Sequence, residues 1–331
     1  MKSTLLSLIG ICLIALTTML CCKKKSSNPT YNQSNLNQLF SGLRSTPQSF
    51  TVTAGASQTV VGANGTVLNF YPNSFKNASG TIITSGTINL QLVEMYKPGD
   101  MIQNRAVTTT SDGQLLQSGG EINIIATMNG QEIYANKYGI GFKQSGPSSQ
   151  SMELYYGSVN NVDSVITWTV GNNVNPGTTA PSTIHDSVHT HNYLYLFDSC
   201  TNFLSVNCDD TYTENWANVS NTTVSVTIPD EKFNPGNTDV YIVATTFKRI
   251  AILAKPGPSN SFVFSETFSA GGTYHTIGLP IGLNYELVVL SNINGSYYYY
   301  QTSGIITNGM TINAAVAPET RGDIIARLAG L

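Results

Sequence analysis

Charge is scarce in this chain. Asp, Glu, Lys and Arg together make up 11% of its 331 residues, where about a quarter is ordinary. The formal net charge is −3, so there is no basic field of the kind that holds nucleic acid. Histidine is rarer still, with four in the whole chain. No apolar run after residue 20 approaches the roughly 20 residues that a membrane helix needs. A Gly-x-Ser-x-Gly elbow is missing, which removes support for an α/β-hydrolase. A Walker loop and a dinucleotide fingerprint are missing too. The 19 acids form no cluster along the chain, although paired carboxylates for glycoside hydrolysis need only meet in space. The balance of these absences favours a protein that is not an enzyme.

The N-terminus is specific. Lys2 supplies a positive start, and Leu5 to Leu20 is apolar apart from small or hydroxyl residues. Sixteen residues suit a cleaved secretory signal better than a membrane span. It runs out into the stretch "TTMLCCKKKSSNP" (Thr17 to Pro29). Its Met19-Leu20-Cys21-Cys22 resembles the looser lipobox of Bacteroidota lipoproteins, in which the cysteine after the cut is acylated. With Cys22 as the anchor, small Cys21 occupies the cleavage position; with Cys21, bulky Leu20 would. Cys22 is therefore the expected lipid site, carrying palmitate-type chains, and Cys21 the alternative. Covalent lipid at Cys22 is the only added group expected, with no cofactor. Several acyl chains hold a protein at a bilayer where one would not. Lys23, Lys24 and Lys25 then lie at the headgroups, each worth about 1 kcal/mol against anionic lipid. The implied location is the cell envelope, at the outer membrane, with the leaflet left open. An uncleaved membrane anchor is the competing reading.

What remains is rich in Gly, Tyr, Thr, Ser and Asn, a composition of β-structure with an uncharged polar surface. Ser34 is placed to cap a short helix with Leu36, Leu39, Phe40 and Leu43 on one face. From Phe50 the period becomes that of strands, with Asn64-Gly65 and Asn129-Gly130 as tight turns. "GNNVNPGTTAPST" (Gly171 to Thr183) interrupts the pattern, and a second series of strands follows. The expectation is all-β, with two β-sandwich domains and short terminal helices. The segments are 1–21 signal peptide, 22–45 tether and helix, 46–170 first sandwich, 171–190 linker, 191–318 second sandwich and 319–331 C-terminal helix.

"TPQSFTVTAGASQTVVGANGTVLNFYPNSF" (Thr46 to Phe75), "SGTINLQLVEMYKPGDMI" and "TSDGQLLQSGGEINIIA" resemble the first domain of a group of uncharacterised Bacteroidota lipoproteins. The same stretches are similar in logic to the ankyrin-type (zona occludens/netrin receptor-like) β-sandwich. Gly65, Pro72 and Phe75 match its strand-and-corner pattern, with Tyr71 and Ser74 departing from it. "FLSVNCDDTY" and "LPIGLNYELVVLSNINGSYYYYQ" resemble the second domain of those lipoproteins. The resemblance implies a fold and an envelope location, but no activity.

A few residues are candidates for chemistry. His185, His189 and His191, with Asp186 beside them, are of the type that binds zinc or copper; the bland alternative, an exposed polar linker, is favoured. They carry the competing functional reading, a metal-binding protein or hydrolase. Cys200 and Cys208 flank seven residues, and the sequence leaves a disulfide and two buried thiols equally open. Tyr297 and Tyr299 share a strand face and are candidates for stacking on a ligand, though core packing is favoured. Ser164 and Ser187 sit in Asp-Ser-apolar triplets of the kind Bacteroidota use for O-glycosylation. The leading expectation is a non-enzymatic module that binds a protein or glycan partner.

Overall fold

The computed structural model describes residues 32–111, 114–144, 152–159, 164–171, 182–184, 192–211, 220–245, 250–256, 261–270 and 273–331. The fold is all-β. Among the described residues four sheets form two facing pairs, accompanied by three short helices. None of the helices is long and apolar enough to cross a membrane.

The first pair sets a nine-stranded sheet against a five-stranded one. Thr87–Met95 shows why: its residues alternate between exposed and buried, with Ile88, Leu90 and Leu92 inward, the period-2 signature of a half-buried strand. They meet Leu68, Phe70, Ile140 and Phe142 from the opposite sheet in one core. Turn chemistry sets the register. Asn129 and Gly130 both have positive φ, 51° and 77°, as a two-residue primed turn requires. They close Leu116–Met128 onto Gln131–Ala135. At the expected corner Phe75 is buried, and the Ser74 hydroxyl donates to the Lys137 carbonyl at 2.7 Å.

The second pair holds a six-stranded sheet over a five-stranded one, around Val226, Ile242, Phe262, Leu287 and Val289. Between the two pairs lies a third core. It joins Trp168, Tyr155 and Ile166 from the nine-stranded sheet to Tyr241, Val243, Val288 and Leu290 from the second pair. Helices α1 (Ser34–Leu43) and α3 (Arg321–Ala329) close it, with Leu36, Leu39, Phe40, Leu43, Ile324 and Leu328 buried. Helix α2 (Pro98–Asn104) packs so tightly on α3 that a β-carbon on Gly99 would fall 1.8 Å from the Leu328 carbonyl oxygen. This third core explains Thr238–Ala244, whose seven residues are all buried. Tyr241 and Val243 face the shared core, while Val240, Ile242 and Ala244 face the second sandwich. A strand covered on both faces loses its alternation.

Two expectations are corrected, and one helix was not foreseen. Asn192–Cys200 and Val206–Thr211, expected in the second sandwich, pair with Tyr138–Gln144 and Leu116–Met128 of the first. The crossing to the second sheet pair therefore falls after Thr211. Gly and Pro mark where a chain can turn, and not which sheet it joins next. Helix α1 does begin at Ser34, but its N-cap is Gln33, and the Ser34 N–H is taken by the Asn32 side chain at 2.9 Å. Helix α2 lay hidden because its Pro-Gly start reads as a turn; proline is at home in a first helical turn.

Candidate functional site

The first candidate is a fork in the nine-stranded sheet. On one side of Leu116–Met128, residues Glu121 to Thr127 pair with Asn89 to Met95. The other side is shared. Its C-terminal end pairs with Gln131–Ala135 and its first half with Val206–Thr211. Between them Ile124 N–H donates to the Phe203 carbonyl at 2.9 Å. The two neighbours then part. Gln131–Ala135 goes on to pair with Phe75–Lys76, while the chain before Phe203 leads into the opposing sheet. A cleft of about 490 Å³ opens in the fork, within the range of small-ligand sites, about 300–1,000 Å³.

Its base is rigid. Phe203 packs against Tyr138, Phe75 and Phe70 with ring centroids 5.1, 5.9 and 6.3 Å away. The 201–204 wall is pinned by hydrogen bonds. Tyr138 donates to the Asn202 carbonyl at 2.9 Å, Leu204 N–H donates to Asn202 Oδ1 at 3.2 Å, and Thr201 N–H donates to the Tyr156 hydroxyl at 3.0 Å. The opposite wall is the 76–80 turn, where Asn77 Oδ1 accepts from Ser79 and from Thr81 N–H. Lys76, Glu132 and Tyr134 also line the cleft. Tyr134 is 36% exposed and Leu204 47%. Tyr134 donates to Glu132 Oε2 at 3.3 Å. The Glu132 charge, then partial desolvation, pushes the phenol up, so it stays a donor at neutral pH.

The second candidate is fully buried. Glu121 pairs with Asn207 on the neighbouring strand, and Asp209 follows two residues further along opposite Ser118; all are buried. Asn207 donates to Asp209 Oδ2 at 2.5 Å and to Glu121 Oε1 at 3.5 Å, and accepts from Ser118 at 3.0 Å. Burial, then the Asp209 charge, pushes the Glu121 carboxyl well above its ordinary range; burial likewise dominates at Asp209. A carboxyl raised on folding contributes stability below its unfolded pKa, about 4.3 for Glu, and loses it as pH rises through the folded value. Glu121→Gln is therefore expected to be near neutral at about pH 4 and increasingly stabilising toward about pH 8. Urea midpoints at the two pH values check this, and a Gln variant weaker than the parent at the higher pH would refute it.

The residues singled out in the sequence fare differently. Cys21, Cys22, His185, His189, His191 and Ser187 lie outside the described residues. Among the described residues no group of three or more His, Cys, Asp or Glu is placed to hold a metal ion. Ser164 is half-exposed at φ 58°. Cys200 and Cys208 are both buried thiols with no disulfide between them. The seven-residue spacing suggested a hairpin, but the two stand on strands of opposing sheets. Burial pushes the Cys200 thiol up.

Tyr297 and Tyr299 do not form a ligand platform. Tyr299 is 6% exposed under Arg327, and Tyr297 packs against the shared core near Gly42. Helices α1 and α3 cover the face they share. The fork was not legible in the sequence, since Glu132-Ile133-Tyr134 reads as ordinary hairpin alternation. "RGD" (Arg321 to Asp323) opens α3, where Thr320 and Asp323 cap the helix. Comparison with protein-family models, with curated proteins and with solved structures gave no match.

Proposed function

We propose that this chain is a cell-envelope lipoprotein, anchored at an outer membrane through Cys22, whose first sandwich binds a protein or glycan partner in the fork cleft. The carrying observation is the cleft itself. Its walls are hydrogen-bonded in place before any ligand arrives, which lowers the ordering cost of binding. A binding role fits its chemistry better than hydrolysis does, because among the described residues that line it Glu132 is the single carboxylate, while the common glycosidases use a pair. The lipid anchor is supported by Leu5 to Leu20 followed by Cys22 and three lysines.

Two measurements test this reading. Intact mass of protein extracted from its own membrane is expected to show an acylated chain starting at Cys22, lost in Cys22→Ala. An unmodified chain, or one that keeps Met1, sinks the anchor. A diazirine amino acid at Leu204 is expected to crosslink a partner in those membranes, while the same group at Ile305, 55% exposed on the second sandwich, does not. No adduct at Leu204, or equal adducts at both positions, would remove the cleft as the binding site.

A further inference from the structure

Resting on that reading of the cleft, we infer that its ligand is a neutral carbohydrate. Among the described residues, the lining carries one cation, Lys76, and one anion, Glu132. An anionic ligand would gain from the first and lose to the second, so the cleft selects for no net charge. Hydrogen-bonding capacity is high for a site this size. The Asn77 and Asn202 amides, the Ser79 and Thr201 hydroxyls, Lys76 and Glu132 all border the space. Both amide oxygens accept from backbone N–H groups. That fixes each side chain and leaves the NH₂ group as the donor end. Donors and acceptors in alternation are what vicinal hydroxyls need, each hydroxyl being one donor and two acceptors.

An aromatic plane completes the set. Tyr134 stands at the rim, 36% exposed, with its hydroxyl tied to Glu132 at 3.3 Å. The tie favours one orientation of the ring at the rim. Leu204 across the cleft adds an apolar edge. The C–H face of a sugar ring suits such a pair, while its hydroxyls reach the amides and the carboxylate.

A peptide strand fits less well. Strand addition needs a run of free sheet edge, and Gln131–Ala135 is short and already engaged, Gln131 to Ile133 with Ala126 to Met128 and Tyr134-Ala135 with Phe75-Lys76. The 76–80 and 201–204 walls are turns, with their amides engaged internally at Gly80, Thr81, Thr201 and Leu204.

The test uses the full chain in detergent and a panel of neutral gluco-, manno- and galacto-oligosaccharides, read by isothermal titration. At least one member is expected to bind with a Kd below about 1 mM. Tyr134→Ala is expected to weaken that binding about tenfold or more and Glu132→Gln by a similar factor, while Tyr134→Phe keeps most of it. Both positions are exposed, so folding is not at stake. No heat from any member at about 10 mM, or full affinity in Tyr134→Ala, overturns the inference. If the diazirine at Leu204 then captures a polypeptide, the cleft remains a binding site and only its carbohydrate specificity fails. If nothing is captured either, the cleft reading falls with it.

Discussion

Asp239→Ala is expected to destabilise the protein by about 3–5 kcal/mol, because it removes one partner of a buried ion pair. Asp239 Oδ2 meets Arg105 Nη2 at 2.8 Å, with the two side chains 9% and 2% exposed. The pair spans the junction: Arg105 is the C-cap of α2 in the first sandwich, and Asp239 lies on Thr238–Ala244 in the second. The Tyr241 hydroxyl donates to the same oxygen at 3.1 Å, and the Arg105 guanidinium lies 4.7 Å from the Phe40 ring centroid. Burial, then the Asp239 charge, pushes the Tyr241 phenol far up, so it stays a donor throughout the working pH range. Losing the carboxylate leaves the guanidinium in an apolar layer without that counter-charge. Arg105→Met combined with Asp239→Leu is expected to cost less than Asp239→Ala alone, since no charge is then stranded. Denaturant midpoints of the three proteins decide it. A loss below about 1 kcal/mol in Asp239→Ala would mean that the pair behaves as an exposed one.

Phe40→Ala is expected to cost about 3–5 kcal/mol, the range for emptying a fully packed aromatic site. Phe40 is 1% exposed in the shared core, alongside Leu36, Leu39 and Leu43 of the same helix. A ten-residue helix is marginal alone in water, so α1 is held by what its apolar face touches. That face contacts strand Asn284–Ile293 and both other helices. The Arg321 side chain also donates to the Gly42 carbonyl, and Gln33 Nε2 reaches the Pro235 carbonyl at 3.1 Å. Ser41→Ala, on the exposed side of α1, is expected to stay within about 0.5 kcal/mol. Thermal melts of both variants separate a packed helix from a loosely attached one; similar small losses would show that α1 contributes little.

Local rules were legible where one residue decides one conformation. Asn129-Gly130 turned as expected because positive φ at both positions belongs to that dipeptide. The helices at Leu36–Leu43 and Ile324–Leu328 announced themselves through apolar spacing. The same spacing was silent about α2, whose buried large apolar side chains are only Met101 and Ile102. Tyr297 and Tyr299 alternate with their neighbours as a ligand platform would, and as a strand under two helices must. Only the cover on that face distinguishes the two.

The all-β class, the Asn129-Gly130 turn, the terminal helices and the scarcity of charge were set by local residue order, because backbone preference and hydrophobic period act over a few residues. The tertiary structure decided which strands share a sheet, where the first sandwich ends, that Cys200 and Cys208 stand apart in opposing sheets, and that a fork opens beside Ile124. Those outcomes rest on contacts between residues far apart in the chain, such as Arg105 with Asp239. Their energies come from burial and charge pairing that exist only once both partners are in place.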